Sequence, residues 1–253
     1  MIGIYFSGTG NTEYCLKKFM SAYAPAAPVY SIEEASAAEA IGRHQEIVFA
    51  YPIYYSNLPK IVRDFINKNQ GVWAGKRIFI IATMGLFSGD GAGLASRLLK
   101  KRGACITGGL HVKMPDCICD VKALKRSESR NREIINRAAE KLIKAARQLE
   151  QKNPPQEGMN IFCHMAGLLG QRLWFYHKTR SYTDRLHIDP SACIGCGICA
   201  ARCPMKNLSI LHNKAQAKAR CTMCYRCING CSQRAITLLG KNVIEQYRVE
   251  DFL

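Results

Sequence analysis

The chain has 253 residues, 48% of them hydrophobic, and a formal net charge of +17. That length accommodates one large domain and a small one, with an ordinary core that needs no covalent staples. A secreted disulfide scaffold is excluded, because such chains are short and cysteine-dense throughout.

Other coarse features narrow the class further. No run of about 18 apolar residues occurs, so no spanning helix is expected. Met1-Ile2-Gly3-Ile4-Tyr5-Phe6 lacks the basic start and long apolar stretch of a signal peptide. The expected setting is the cytoplasm, with reduced thiols. The positive charge is spread along the chain, at +9 over 1–150, +3 over 151–187 and +5 over 188–253. It implies acidic partners and no localised basic tail.

Residues 1–115 alternate apolar runs with helical stretches. Strands are expected at Ile2–Phe6, Val29–Ser31, Ile47–Ala50, Arg77–Thr83 and Cys105–Met114. Helices are expected at Thr12–Ala22, at Pro59–Asn67 with Pro59 in the first turn, and at Gly91–Arg102 with Gly103 as C-cap. This order implies a doubly wound parallel sheet covered by helices on both faces. Ser127–Gln151 reads as a long helix with Ile135, Ala138, Leu142, Ala146 and Leu149 on one face, and Asn153-Pro154-Pro155 stops it. The first domain is therefore placed at 1–152. A connector follows at 153–187, with an amphipathic helix carrying Phe162, Met165, Ala166, Leu169, Leu173 and Tyr176. It is expected to pack on one of the domains, with a surface helix meeting a partner or membrane as the alternative. A small domain is placed at 188–253.

The cysteines carry the clearest chemistry. Eight of the 13 fall in the 39 residues from 193 to 231. The run Cys193-x2-Cys196-x2-Cys199-x3-Cys203-Pro204 is followed by Cys221-x2-Cys224-x2-Cys227-x3-Cys231. Two such copies are the ligand pattern of two 4Fe–4S clusters. The x2 spacing wraps three thiolates round one cubane, and the fourth cysteine serves the other cluster. Cys193, Cys196, Cys199 and Cys231 are thus assigned to one cluster, and Cys203, Cys221, Cys224 and Cys227 to the other. Two zinc sites would need paired cysteines across a longer loop. The segment 189–239 resembles the bacterial two-cluster ferredoxin domain, with Ser232 standing where the second copy often has proline. That resemblance implies a small pseudo-twofold α+β fold.

Ser7-Gly8-Thr9-Gly10-Asn11-Thr12 lies between the first strand and the first helix, where a parallel sheet binds phosphate. Glu13 stands where a dinucleotide fingerprint needs glycine, and no Walker lysine follows. A hydroxyl-rich loop of neutral donors suits a phosphate monoester. Tyr51 to Pro59 follow the third strand, and Thr83 to Gly91 follow the fourth. These three loops resemble the FMN site of flavodoxins. The resemblance gives cofactor contacts at Ser7, Gly8, Thr9, Gly10, Asn11 and Thr12, then Pro52, Ile53, Tyr54, Tyr55, Asn57 and Leu58, then Thr83, Met84, Gly85, Leu86, Phe87 and Gly89. Tyr54, Tyr55 and Phe87 are equal candidates to cover the ring. Met114 to Asp120 fit the loop after the fifth strand.

The whole chain is similar to a clostridial-type family in which a flavodoxin-like five-stranded domain precedes a two-cluster ferredoxin domain. The resemblance implies an anaerobe's electron-transfer iron–sulfur flavoprotein with FMN and two 4Fe–4S clusters. Its expected partners are acidic redox proteins of the ferredoxin or flavodoxin type, and a homodimer is left open. The alternative is an FMN-dependent reductase of a small organic substrate, with Tyr54, Tyr55 and Asp90 as acids by position. A basic nucleic-acid-binding protein would leave the flavin loops unexplained, and no nucleic-acid partner is expected. Cys117 and Cys119 could form a redox pair, although their alternating orientation makes this awkward. Cys15, Cys105 and Cys163 read as small apolar groups.

Overall fold

A computed structural model describes residues 1–86, 89–173 and 185–253. Its larger part is a five-stranded sheet in the order β2-β1-β3-β4-β5. The strands are β1 (Ile2–Tyr5), β2 (Val29–Ser31), β3 (Glu46–Pro52), β4 (Arg77–Met84) and β5 (Cys105–Lys113), and every pairing is parallel. β3 and β4 are almost wholly buried, which is why they read as continuous apolar runs rather than alternating ones. β1 sits between β2 and β3, so the strand order reverses there. The crevice at the carboxyl ends of β1 and β3 is the ligand position for such a sheet.

Helices cover both faces. On one face Leu16, Phe19, Ile135, Ala138 and Leu142 pack on Val48, Ile81 and Leu110. They come from α1 (Asn11–Tyr23) and α5 (Glu128–Glu150). The other face buries Ile4, Phe49, Tyr51 and Ile80 with Ile41, Val62, Ile66, Trp73 and Leu99. These belong in part to α2 (Ala37–Arg43), α3 (Lys60–Lys68) and α4 (Gly91–Lys100). The sequence reading has no counterpart for α2. Three of its seven residues are alanine, and it is too short for a periodic signal.

The connector forms α6 (Ile161–Gly167) and a wider turn at Leu168–Arg172. Ile161, Phe162, Met165, Leu169 and Leu173 are exposed. The expected apolar face therefore stands uncovered among the described residues. His164 Nδ1 bonds Asp90 Oδ2 at 2.8 Å, which ties α6 to the loop before α4. Tyr176 lies outside the described residues.

The C-terminal part holds two small antiparallel pairs. β6 (His187–Ile188) pairs β9 (Ile236–Thr237), and β7 (Leu208–Leu211) pairs β8 (Lys214–Ala217). His212 and Asn213, both at positive φ, make the tight turn between β7 and β8. This part packs directly on the sheet domain. Asp120 is the central latch. Its carboxylate accepts from Tyr225 Oη at 3.0 Å, Leu238 N at 2.7 Å and Leu239 N at 2.9 Å. The chain then returns to the sheet domain. Tyr247 and Val249 are buried in its core, and Tyr247 Oη donates to Asn11 Oδ1 at 2.7 Å.

Asp120→Ala would leave one buried N–H, one half-buried N–H and one buried hydroxyl without their acceptor. Each unsatisfied buried group costs about 1–3 kcal/mol. Denaturant unfolding should show a loss of several-fold that of an exposed aspartate control, or a separate earlier transition for the C-terminal part.

Candidate functional site

The carboxyl ends of β1, β3, β4 and β5 open on one cleft of about 280 Å³. Its walls include Ser7, Gly8, Thr9, Asn11, Thr12, Pro52, Ile53, Tyr54, Tyr55, Thr83, Met84, Gly85 and Leu86. These come from three loops that the sequence places apart and the sheet places together. Gly10, Asn57, Leu58 and Gly89 stand off the cleft walls. Asn57 and Leu58 line a neighbouring groove with Lys60, Arg63, Arg220 and Cys221. A Cβ on Gly10 would meet Val249, and one on Gly89 would meet Gly167, so both glycines serve close packing. Phe87 lies outside the described residues.

Further walls are Met114, Pro115, Asp116, Cys117 and Ile118 after β5, and Met223, Tyr225 and Leu239 from the C-terminal part. The sequence marked the β5 loop without naming contacts in it. The only signal for Met223 and Tyr225 was their position between cluster cysteines.

The loop after β1 has the chemistry of a phosphate cradle. The first bond of α1 runs from Tyr14 N to Gly10 O at 2.9 Å. The amides before it have no intrahelical partner and point out of the helix N-terminus. Ser7 is buried, and its Oγ has no hydrogen-bond partner. Thr12 Oγ1 and Thr83 Oγ1 are 2.7 Å apart and join the first and third loops. Asn11 lines the cleft with its side chain engaged at both ends. Its amide donates to Pro115 O at 2.9 Å and its Oδ1 accepts from Tyr247, because the β5 loop and the returning tail both reach it. The side chain braces the cradle.

The acids sort themselves by burial. Asp90 is fully buried and engages Arg97 and His164, so it does not face the cleft. Asp116 does, and burial holds its carboxyl above the usual carboxylate range. Burial also pushes the Tyr54 phenol well up. Cys117 lines the cleft while Cys119 is buried in the C-terminal core, and both are free thiols.

Two small cavities lie in the C-terminal part. One is lined by Cys193, Cys196, Cys199 and Cys231 with Ile194, Ile198, Ile210 and Ile236. The other is lined by Cys203, Cys221, Cys224 and Cys227 with Asn207, Thr222 and Arg226. Each cavity gathers one of the crossed cysteine sets that the spacing assigned. Among the described residues no three His, Cys, Asp or Glu side chains converge as a single metal ion requires. A cubane holds its thiolates further apart than one ion does.

The second cavity is the inner one. A Cβ on Gly8 would lie 2.2 Å from Cys224 O, so the phosphate loop and the cluster loop touch through bare backbone. Arg226 clamps the contact. It donates to Ser7 O at 2.6 Å and Gly8 O at 3.3 Å, and to both Glu33 oxygens at 2.6 and 2.8 Å. Asn229 Nδ2 adds a bond to Cys117 O at 2.9 Å. The first cavity is the outer one, with exposed Cys196, Ile194 and Ile198 at its rim.

A flavin-type cleft beside two four-cysteine cavities defines an iron–sulfur flavin electron-transfer protein. Residues 2–105 match the family model described as Flavodoxin domain. Residues 185–246 match the one described as 4Fe-4S dicluster domain. The chain is a flavodoxin–ferredoxin fusion, and its cofactors are FMN and 4Fe–4S clusters. Among solved structures it is similar to Megasphaera elsdenii flavodoxin in its two-electron reduced form, at 24% identity and TM-score 0.40, covering 57% of this chain and 100% of that one. Oxidised Flavodoxin 2 from Bacillus cereus is similar at 19% identity and TM-score 0.44, covering 60% and 97%. Fusobacterium nucleatum flavodoxin bound to flavin mononucleotide is similar at 13% identity and TM-score 0.42, also covering 60% and 97%. No curated protein matches the chain. No helix among the described residues is long and apolar enough to cross a membrane.

Proposed function

We propose that the chain passes electrons between an external acidic redox protein and its flavin site by way of the outer and then the inner cluster site. The contact between Gly8 and Cys224 carries this reading, because it seats the inner cysteine set against the phosphate loop. The clusters exchange single electrons, and FMN accepts one or two.

The residues divide the work. Cys193, Cys196, Cys199 and Cys231 hold the outer cluster, and Cys203, Cys221, Cys224 and Cys227 hold the inner one. Ser7, the amides of Gly8 to Thr12 and the hydroxyls of Thr9 and Thr12 receive the FMN phosphate. Tyr54, Tyr55, Met84, Gly85 and Leu86 bound the ring from the sheet side. Met223 and Tyr225 bound it from the cluster side and exclude water between the centres. The fit is supported by the orphaned Ser7 hydroxyl and by the bare backbone at Gly85, where a Cβ would lie 2.6 Å from Asp116 Oδ2.

The outer rim suits a protein donor. Ile194, Ile198 and Leu211 are exposed there, and Arg202 approaches Gly230 on the cavity wall. An apolar patch with basic neighbours matches an acidic partner, whose encounter rate should fall as salt rises. Stopped-flow reduction by a reduced acidic ferredoxin tests this. Flavin bleaching that follows cluster bleaching, and slows with salt, is the expected result. Cluster-independent flavin reduction would overturn it.

A second reading has one specific observation in its favour. Asp116 lines the cleft and its carboxyl is raised by burial, which suits a proton donor to a small substrate. Turnover of a defined organic compound by reduced protein, lost in Asp116→Asn, would favour a reductase.

Ser7→Ala removes one donor to the phosphate. A hydrogen bond to a charged group contributes about 1.5–3 kcal/mol, so FMN affinity should fall roughly 10- to 150-fold. Flavin fluorescence titration of deflavinated protein measures it.

A further inference from the structure

Among the described residues, four buried side-chain polar atoms lack a hydrogen-bond partner: Ser7 Oγ, Arg102 Nε, Asn207 Nδ2 and Thr222 Oγ1. Ser7 belongs to the phosphate cradle. Asn207 and Thr222 both line the inner cysteine cavity, and they are 1% and 6% exposed. A buried donor without an acceptor costs about 1–3 kcal/mol. Two on one small cavity point to a sulfur-rich acceptor inside it.

The orientation of Asn207 is set by its neighbours. Its backbone N donates to Cys203 Sγ at 3.2 Å. Its Oδ1 accepts from Arg220 N at 2.5 Å and Lys218 N at 3.3 Å. With the oxygen held by two N–H donors, the amide NH2 is the group left over. Thr222 sits between Cys221 and Cys224, and its hydroxyl is the second donor.

The outer cavity is built differently. Its walls are Ile194, Ile198, Ile210 and Ile236, and its only polar lining residue besides cysteine is the exposed Gln233. The cysteines of the inner cavity are the more buried set, with Cys224 in the core beside Phe6 and Tyr54 while Cys196 of the outer set is exposed. Reduction adds a negative charge to a cluster, and burial opposes that. Hydrogen bonds to the sulfurs and cluster exposure both set the potential.

We propose that Asn207 Nδ2 and Thr222 Oγ1 donate to the sulfurs of the inner cluster and raise its reduction potential, offsetting its burial so that it can accept electrons from the outer one. The step is a one-electron transfer in which no bond forms and no proton moves. An external low-potential donor supplies the electron. The inference rests on the two-cluster assignment and is independent of the partner and of flavin transfer, because cluster potentials are measured without either.

The test is a redox titration of the anaerobic full chain, followed by electron paramagnetic resonance of each cluster, with dithionite as reductant. Thr222→Val keeps the shape and removes the donor. It should lower the reduction equilibrium constant of one cluster about tenfold, or roughly 59 mV for one electron, and leave the other unchanged. Thr222→Ser should restore the wild-type value. Asn207→Asp keeps the accepting oxygen and removes the NH2, and should lower the same step. Where Asn207→Asp fails to assemble clusters, the Thr222 pair decides. Unchanged midpoints in Thr222→Val, equal shifts in both clusters, or failure of Thr222→Ser to restore the value would overturn the proposal.

Discussion

Gly8→Ala is expected to uncouple the flavin site from the clusters while both clusters still assemble. The added Cβ would lie 2.2 Å from the backbone carbonyl oxygen of Cys224 and 3.3 Å from its Cβ. No flexible side chain can move aside, so the phosphate loop and the cluster loop must part. Overpacking of this kind costs about 1–3 kcal/mol. Spread over the contact, that is roughly a 5- to 150-fold shift in the docked population. FMN affinity should fall, because Ser7 and Thr9 move with Gly8. Flavin reduction through the clusters should slow with it. Iron content and the cluster absorbance should stay at wild-type levels, since no cysteine is displaced from its set. Flavin reduction at the wild-type rate would show that this contact is not the junction.

Arg226→Met should have the largest effect on stability. The guanidinium serves five acceptors, the carbonyls of Ser7, Gly8 and Arg202 and both oxygens of Glu33. The Arg226 and Glu33 side chains are only 23% and 27% exposed, so the pair is largely desolvated. Truncating one partner of such a pair costs about 2–5 kcal/mol, much of it from the partner left unpaired. Methionine keeps the length of the aliphatic stem and removes the guanidinium, including its cation–π contact over the Phe6 ring. Arg226→Lys should recover little, because a point charge cannot satisfy a planar set of acceptors. Denaturant midpoints of both variants, together with a Glu33→Gln cycle, measure the coupling. A coupling near zero would mean that Arg226 acts on the three carbonyls alone.

The cysteine sets were legible because ligand spacing is a local property. A third cysteine at x2 and a fourth at x3 can be read without knowing the fold, and the two cavities gather the two sets. The flavin loops were legible for a related reason. Each follows a strongly apolar strand, although β3 runs on to Pro52 and β4 to Met84, one or two residues past the ends expected from the sequence. Gly10 and Gly89 show the limit. They look like cofactor glycines by position, and the space where a side chain would stand is filled by Val249 and Gly167, residues far away in sequence. The bracing of Asn11 by Pro115 and Tyr247 is likewise set by residues far away in sequence. Arg226, Asp120 and Tyr247 form the interface between the parts, and nothing local marks them. An interface residue is defined by its partner across the chain, and one sequence carries no record of that pairing. The apolar pattern of the connector was visible, but periodicity cannot tell a covered face from an exposed one.

The proposed route carries electrons to FMN inside one chain, through the inner cluster. The most direct measurement is the rate of flavin reduction after rapid anaerobic reduction of the clusters, repeated across a wide range of protein concentration. A first-order rate that does not change with concentration is predicted, because Gly8 and Cys224 belong to the same chain and already touch. A rate that rises in proportion to protein concentration would contradict the account, since the electron would then pass between molecules.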